Sequence, residues 1–269
     1  MLSLSSPDGR THVAVDDMCG ARLASIRIDG VEILVTDGED ALRWGCYPMV
    51  PYAGRVRDGM LIIGSTTHPL PVIAPPHALH GTVFASPWAV IDHSESRAVL
   101  LTELDLPWPV AGTVRHEVTL ADDGISMRLE VTAHDDMPVQ VGWHPWFVKP
   151  TSYSVPFRRL WPRDEHGITS TEPVAHDPDR VQFGSYDDCF SDPSEPPALI
   201  FSTPDPERAL RIDLHSDCSH WVVFDQPAHA VCIEPQSGPP NQVNDDPVWL
   251  GFGESLARTF RIGWGITRR

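Results

Sequence analysis

The sequence predicts an all-β fold, a sandwich or barrel of many short strands. Hydrophobic and polar residues alternate with a period of two along several segments, which is typical of strands with one buried face. Pro (27) and Gly (19) are numerous but dispersed, so we interpret them as turn residues between strands. No segment of the sequence combines a helical hydrophobic stripe with capping residues. Many short strands separated by turn signals indicate a β-sandwich or a β-barrel.

Two hairpins are visible in the alternation. It is clearest over residues 113–120 and resumes over residues 125–132, with an Asp-Asp-Gly turn at 122–124. Two alternating segments joined by an Asp-Gly turn predict a β-hairpin. A second hairpin is predicted around the Asp-Gly pair at 29–30, which isoleucines and a valine flank at alternate positions.

Further short apolar runs predict more strands, at residues 98–102, 199–202, 210–214, 221–224, 231–233 and 258–264. The proline-rich segment 191–206 is predicted to be a long loop or an inserted excursion. No linker or internal repeat is visible, so residues 1–269 are predicted to form a single domain.

Charge and composition exclude several classes of partner. A formal net charge of −17 repels nucleic acid and anionic lipid. Residues 1–10 are polar, and no run of about 18 apolar residues predicts a membrane span. The five cysteines lack a CxxC pair and fit reduced thiols. We therefore expect a cytoplasmic protein, a monomer or homodimer, whose partner is a small molecule and not a nucleic acid or a membrane.

Five segments hold more polar and aromatic residues than packing requires, at 47–56, 77–81, 142–147, 186–190 and 233–241. They contain histidines, one glutamate at the end of an apolar run, an arginine and two adjacent aspartates, with tryptophan and tyrosine nearby. Carbohydrate sites are built in this way, because aromatic rings stack on the apolar faces of a pyranose while charged groups hold its hydroxyls. Glutamate and histidine can supply a base and an acid whose pKa values burial drives apart.

The same segments carry motifs that occur in a fixed order: Pro-Tyr-Ala-Gly-Arg, His-Ala-Leu-His-Gly, Gly-Trp-His-Pro-Trp-Phe, Tyr-Asp-Asp-Cys-Phe and Ile-Glu-Pro. In this order they resemble the aldose 1-epimerase (galactose mutarotase) family, and they span most of the chain, from residue 47 to residue 241. The resemblance implies a large antiparallel β-sandwich of the galactose mutarotase type, a supersandwich. This agrees with the strand pattern.

The resemblance also implies an isomerase reaction and the residues that catalyse it. The family interconverts the α and β anomers of an aldose. Glu234 matches the general base that takes the proton of the C1 hydroxyl, and His144 matches the general acid that protonates the ring oxygen. His80 matches a residue that contacts the substrate and shares in charge stabilisation. The reaction has no redox step and no hydrolytic water, so neither a cofactor nor a metal is expected.

Substrate-binding residues follow from the same resemblance. Arg55 and Asp187 match positions that hold sugar hydroxyls, and the adjacent Asp188 is a competing match for Asp187. Trp143 and Trp146 are candidates for contact with the sugar, although one of the two is expected to be a core residue, as tryptophans are in most β proteins.

Two departures from the family pattern concern the substrate. The chain is short for a galactose mutarotase, and Gly54 stands where many galactose-specific members carry asparagine. The resemblance therefore implies the reaction but not the sugar. A branch of the family acts on sugar 6-phosphates, and the candidate phosphate ligands here are Arg57, Arg158, Arg159 and Arg163.

Other interpretations of the same residues stay open. His77, His80, His144 and Glu234 could ligate a metal as in a cupin-type barrel, although cupin ligands favour a closer His-x-His spacing. His77 alone is interpreted as a loop histidine that supports His80. A sugar-binding protein that has lost catalysis is a further alternative. The sequence argues against it because both the acid and the base positions are filled. Arg55 could also be a structural ion-pair partner.

Overall fold

The computed structural model describes residues 1–170, 172–179 and 183–268, where the secondary structure is almost entirely β. The first strands are β1 (Leu2–Ser5), β2 (Thr11–Asp16), β3 (Arg22–Ile28), β4 (Val31–Glu32), β5 (Cys46–Met49), β6 (Arg55–Val56), β7 (Met60–Ile63), β8 (Thr66–Pro69), β9 (Ala78–Leu79), β10 (Ala89–His93), β11 (Arg97–Leu104), β12 (Gly112–Ala121) and β13 (Gly124–Ala133). They are followed by β14 (Met137–Val139), β15 (Gly142–Val148), β16 (Ser152–Tyr153), β17 (Phe157–Trp161), β18 (Val174–Ala175), β19 (Asp187–Pro193), β20 (Ala198–Ser202), β21 (Arg208–Ser216), β22 (His220–Phe224), β23 (Ala230–Gln236), β24 (Val248–Leu250) and β25 (Ser255–Arg268). The helical elements of the described ranges are a 3-10 turn at Arg57–Gly59 and the short helix α1 (Gln242–Asp245).

In the described part of the chain these strands form two large antiparallel sheets. The larger has 11 strands in the order β1-β2-β3-β5-β15-β23-β22-β19-β17-β18, with β4 paired to β3. The smaller has 8 strands in the order β10-β11-β12-β13-β25-β21-β20-β16. Three strand pairs, β14-β24, β6-β9 and β7-β8, lie outside both sheets. The predicted all-β antiparallel sandwich is confirmed.

The hydrophobic core lies between the two large sheets. Phe260 of β25 contacts Trp143 of β15 and Trp221 of β22, with ring centroids 5.8 and 6.3 Å apart. Val114 of β12 is fully buried in the same cluster. Removal of this apolar surface from water is the main stabilising contribution to such a fold. The shared core supports the prediction of one domain over residues 1–269, which stays a prediction.

Both predicted hairpins are confirmed. β12 pairs with β13 over its whole length, and Asp122 and Asp123 form the turn. β3 and β4 are joined by Asp29 and Gly30, whose φ angles of 48° and 82° are those of a type I′ turn. The backbone therefore favours an Asp-Gly pair here, since most other residues are strained at positive φ.

The other apolar runs also lie in strands, namely β11, β20, β21, β22, β23 and β25. The prediction of a long loop over residues 191–206 is wrong, because β19 extends to Pro193 and β20 occupies Ala198–Ser202. Pro193 is tolerated because it sits at the last position of its strand, where it pairs with Phe157. The prolines of this segment therefore mark strand ends and not an excursion.

The cysteines agree with the expectation from sequence. All five cysteines are free thiols, and four of them are buried. Among the described residues, no helix is both long enough and apolar enough to cross a membrane.

Candidate active site

The larger sheet has two different faces, and its central strands β15 and β23 show the division. Trp143 and Ile233 point into the core between the sheets. His144, Trp146 and Glu234 belong to the opposite face, because successive side chains of a strand point to opposite sides. The alternation around Ile233 and Glu234 thus places one apolar and one acidic side chain on different faces of the sheet.

A cavity of about 870 Å³ covers this second face. Its walls come from β5, β15, β19, β22 and β23, from β6 and the turn after β9, and from a rim segment at residues 37–44. The lining side chains with polar or aromatic groups include Asp37, Glu39, Arg43, Tyr47, Arg55, His80, His144, Trp146, Asp187, Phe224, His229, Glu234 and Gln236. Its size and mixed lining are those of a small-molecule site.

Glu234 and His144 lie side by side in this cavity. Glu234 Oε1 is 3.3 Å from His144 Nε2, and both side chains are buried. The Nε2 group of Gln236 donates a hydrogen bond to the other carboxylate oxygen, Glu234 Oε2, at 3.2 Å. His80 meets the His144 ring edge-on, with ring centroids 4.8 Å apart. The fold therefore brings the three predicted catalytic residues together.

Burial sets the protonation of this cluster. It raises the pKa of Glu234 well above its ordinary value, and the nearby carboxylate of Asp187 raises it further. Burial lowers the pKa of His144 to about 3 and, together with the neighbouring His144, lowers the pKa of His80 well below the usual imidazole value. Each group therefore favours its neutral form, and in that form the Glu234–His144 pair holds one proton. Such a pair can take a proton at one atom and give a proton at another.

Two aromatic rings flank the His144 imidazole. Tyr47, the neighbour of His144 on β5, lies nearly parallel to it at a centroid distance of 5.0 Å. Trp146 also lies nearly parallel to it, at a centroid distance of 5.3 Å. The backbone carbonyl of Leu42 accepts hydrogen bonds from the Tyr47 hydroxyl at 3.1 Å and from the Trp146 indole at 2.7 Å. These contacts hold both rings and restrict the orientation of the imidazole.

The two tryptophans predicted to bind substrate have different positions. Trp146 lines the cavity, but it is only 6% exposed, and its parallel neighbours are the imidazoles of His144 and His229. Trp143 is fully buried between the sheets, where its indole N–H donates to His116 Nε2 at 3.2 Å. The assignment of Trp143 to the sugar is therefore corrected to a core position, since adjacent strand residues face opposite sides.

Arg55 and Asp187 form an ion pair at one side of the cavity, with Nη2 and Oδ2 3.4 Å apart. Arg163 joins them, because its Nη1 lies 2.9 Å from Asp187 Oδ2 and its Nε lies 3.0 Å from Asp188 Oδ1. Asp187 lines the cavity, whereas Asp188 is not among the described residues that do so. Of the two aspartates that the sequence left open, Asp187 is the one placed to meet a ligand.

His77 is separate from the other histidines. It is buried, and its Nδ1 accepts a hydrogen bond from the backbone N–H of Asp58 at 2.9 Å. It is not among the described residues that line the cavity, so a four-residue metal site is not assembled. His80, His144 and Glu234 each offer one donor atom within 4.8 Å of one another. Among these three groups, Glu234 Oε1 and His144 Nε2 lie 3.3 Å apart.

Residues 3–262 match the family model for aldose 1-epimerase. The chain belongs to the aldose 1-epimerase family. The match extends over nearly the whole chain, well beyond the five motifs, and confirms the resemblance that those motifs carry.

Solved structures with the fold of this epimerase-family protein come from several bacteria. A protein of Escherichia coli K12, provisionally described as an aldose 1-epimerase, is 20% identical with a TM-score of 0.81, over 100% of this chain and 99% of that chain. A galactose mutarotase-like protein of Clostridium acetobutylicum is 17% identical with a TM-score of 0.77, over 97% and 94%. A galactose 1-epimerase of Lactobacillus acidophilus NCFM is 16% identical with a TM-score of 0.72, over 98% and 93%. At such identities the likeness shows the fold alone. No curated protein matches the chain.

Several residues of the epimerase-family cavity were not assigned from sequence. Gln236 follows Glu234 by two positions, so strand alternation alone could have placed it on the same face. Tyr47 and His229 reach the His144–Trp146 pair only through the pairing of β15 with β5 and β23, and local sequence carries no signal for such long-range pairing. The rim segment has the acidic composition of a surface loop in the sequence. Only the folded structure shows that it lines the cavity.

Proposed function

We propose that this chain is an aldose 1-epimerase that interconverts the α and β anomers of an uncharged, free aldose. The single observation that carries the proposal is the contact of 3.3 Å between Glu234 Oε1 and His144 Nε2 inside a cavity of about 870 Å³. A base and an acid so close to each other can act on two oxygens of one small molecule. In a cyclic aldose, the C1 hydroxyl oxygen and the ring oxygen are both bonded to C1.

The reaction uses the shared proton of the pair. Glu234 as carboxylate accepts the proton of the C1 hydroxyl while His144 as imidazolium donates a proton to the ring oxygen. The bond between C1 and the ring oxygen breaks, its electron pair stays on that oxygen, and C1 becomes an aldehyde. Rotation about the C1–C2 bond presents the other face of the aldehyde, and the reverse transfers close the ring as the other anomer. The reactive form differs from the neutral pair only in which group holds the proton.

The other cavity residues fit supporting roles in this reaction. His80, neutral because of burial, can donate to or accept from a sugar hydroxyl beside His144. Arg55 and Asp187 present a fork of donors and a carboxylate from one side, a combination that fixes hydroxyl groups in direction. Gln236 holds the second oxygen of Glu234, so the first oxygen is left for the reacting proton.

The charges near the cavity favour an uncharged sugar over a sugar 6-phosphate. Three of the four candidate phosphate ligands are paired with carboxylates: Arg57 with Asp164 at 3.3 Å, Arg158 with Asp192 at 3.6 Å, and Arg163 with Asp187 at 2.9 Å. Arg159 is exposed on β17 and is not among the described cavity-lining residues. Asp37 and Glu39 add negative charge at the rim. The phosphate group of a sugar 6-phosphate would therefore compete with these carboxylates for the arginine side chains.

Anomer exchange measured by polarimetry or by NMR tests the proposal. Freshly dissolved free aldoses and their 6-phosphates form the panel, each with and without a chelator, and the spontaneous rate is subtracted. We expect acceleration for at least one free aldose, little for the phosphates, and no effect of the chelator. Calorimetric binding of free aldoses without any acceleration would replace this proposal with a sugar-binding function. Acceleration restricted to the phosphates would overturn the choice of an uncharged substrate.

A further inference from the structure

Arg22, the first residue of β3, is a fully buried arginine whose charge is met by backbone carbonyls. Its guanidinium donates four hydrogen bonds, to the carbonyls of Cys19 at 2.9 Å, Ala41 at 2.8 Å, Trp44 at 3.0 Å and Phe84 at 2.9 Å. Within the described residues it forms no ion pair with a carboxylate. Burying a charge without a counter-ion costs free energy, and here the four hydrogen bonds to carbonyls offset that cost.

The carbonyls that Arg22 binds come from three segments around the cavity. Ala41 and Trp44 belong to the rim segment, whose neighbours Leu42 and Arg43 line the cavity. The ring of Phe84 packs on the ring of Tyr47 at a centroid distance of 5.9 Å. One planar group thus joins the turn before β3, the rim segment and the segment around residue 84. A guanidinium suits this task because its N–H groups point in fixed, divergent directions.

Arg22 also reaches the His144 imidazole through one intervening ring. Its guanidinium carbon lies 5.2 Å from the Tyr47 ring centroid, and Tyr47 lies beside His144. The rim segment that Arg22 holds carries the Leu42 carbonyl, which binds the Tyr47 hydroxyl and the Trp146 indole. Both rings that flank the imidazole are therefore held through contacts with Arg22 or with the segment it anchors.

The backbone segments around Arg22 approach one another closely. A Cβ on Gly20 would lie 1.9 Å from the Phe84 carbonyl oxygen, and a Cβ on Gly45 would lie 2.7 Å from the Leu23 carbonyl oxygen. Both glycines have positive φ, 73° and 71°, as does Ala21 at 50°, a conformation that costs energy for a residue with a Cβ. The close backbone contacts at Gly20 and Gly45 and the positive φ of Ala21 therefore all lie next to Arg22.

We propose that Arg22 is a positioning residue of the active site, which fixes the rim segment and the two rings beside His144 and so sets the orientation of the imidazole that donates the proton. This inference rests on the proposed epimerase function. Arg22 touches neither substrate nor the reacting atoms, and it acts through Tyr47, Trp146 and the rim segment.

The charge of Arg22 adds a second effect that can be measured separately. The groups that face His144 are Glu234 from β23, His80 from the turn after β9 and Tyr47 from β5, with Arg55 and Asp187 beyond Glu234 and Arg22 behind Tyr47. Among them, the positive charge of Arg22 lowers the pKa of His144 beyond the effect of burial. Arg22→Lys keeps the charge and loses the fork of donors, whereas Arg22→Met loses both.

The test compares Arg22→Lys, Arg22→Met and, as a matched control, Arg27→Met, which changes an exposed arginine of the same strand. We expect both Arg22 variants to lower kcat by roughly tenfold to a hundredfold with a smaller change in KM, because a displacement of about 1 Å at a catalytic group has such an effect. The acid limb of the pH profile should move to higher pH in Arg22→Met and stay in place in Arg22→Lys. The control should match the parent protein.

Circular dichroism and unfolding curves separate these effects from loss of the fold. If Arg22→Met does not fold, Arg22→Lys decides the question. A folded Arg22→Lys protein that is less stable but has the parent kcat would overturn the positioning role and leave Arg22 as a fold anchor only.

An NMR measurement that needs no activity separates this inference from the proposed function. With histidine labelled in its ring, the His144 signal in the parent protein should carry the ring-current shift of Tyr47 and Trp146, and it should lose part of that shift in Arg22→Lys. An unchanged His144 signal would overturn the inference even in an active enzyme. If the parent accelerates no anomer exchange, the proposed function fails while the NMR result still decides whether Arg22 orients His144.

Discussion

Glu234 Oε1 and His144 Nε2 lie 3.3 Å apart on neighbouring strands at the centre of the larger sheet, and Gln236 Nε2 donates to the other oxygen of the carboxylate. Neither group of this pair keeps its charge easily, since burial raises the pKa of Glu234 and lowers the pKa of His144. In their neutral forms the two groups hold a single proton between them. A bound sugar can receive this proton at one oxygen and give a different proton back to the pair from another oxygen. In the proposed reaction, this one buried contact supplies both halves of the proton exchange.

Removal of either partner should abolish most of the rate enhancement. We expect Glu234→Gln and His144→Asn each to lower kcat by about 10²–10⁴-fold, because a positioned general acid or base contributes on that order. Neither change should alter the fold, since both replacements can still hydrogen-bond. Glu95→Gln, at an exposed glutamate, serves as control and should leave the rate unchanged. A parent-like rate in a folded Glu234→Gln protein would refute the assignment of the base.

The pH profile should reflect the pair and not its isolated groups. The active form holds one proton, so activity is lost on the acid side when a second proton binds, and on the basic side when the shared proton leaves. With the pKa of His144 lowered to about 3, the acid limb should lie well below the ordinary imidazole value of 6.5. With the pKa of Glu234 raised, the basic limb should lie well above the ordinary carboxyl value of 4.5. The measurement is kcat/KM against pH, and an acid limb near 6.5 would contradict the proposed protonation.

The sequence predicted the site to the extent that its signals are local. Alternation along β23 separates Ile233 from Glu234, and the Asp-Gly turns predict two hairpins that the structure contains. The ring partner of His144 on β5, Tyr47, depends on strand pairing across a long stretch of chain, for which no local pattern exists. Arg22 has the sequence signature of an exposed charged residue, and only the convergence of four carbonyls explains its burial.

The two tryptophans of β15 should respond differently to the same substitution. Trp143→Phe leaves buried His116 Nε2 without its donor, so we expect a loss of about 1–3 kcal/mol in the free energy of unfolding and a nearly unchanged kcat/KM. Trp146→Phe replaces the indole beside His144 with a smaller ring and removes one of two hydrogen bonds to the Leu42 carbonyl. We therefore expect kcat/KM to fall with a smaller loss of stability. Urea unfolding and anomer-exchange assays on both proteins provide the comparison. Equal effects of the two variants on kcat/KM would show that the division of the strand into two faces does not govern function.

His116 makes the stability of the fold depend on pH. It is fully buried on β12, where Nδ1–H donates to the Ala21 carbonyl at 3.1 Å and Nε2 accepts from Trp143, so it is held as the neutral imidazole. Burial lowers the pKa of His116 from 6.5 to about 4. Between these two values the unfolded chain binds a proton that the folded chain does not.

The contribution of His116 to stability is therefore complete above about pH 6.5 and is lost as the pH falls towards about 4, and it amounts to about 3 kcal/mol. His116→Gln keeps a donor and an acceptor but cannot titrate, so its free energy of unfolding should fall less steeply over this range than that of the parent protein. His93→Gln, at an exposed histidine, is the matched control and should keep the parent slope. Urea unfolding at a series of pH values measures all three proteins. The same slope in His116→Gln as in the parent would mean that another buried group, and not His116, binds the proton on unfolding.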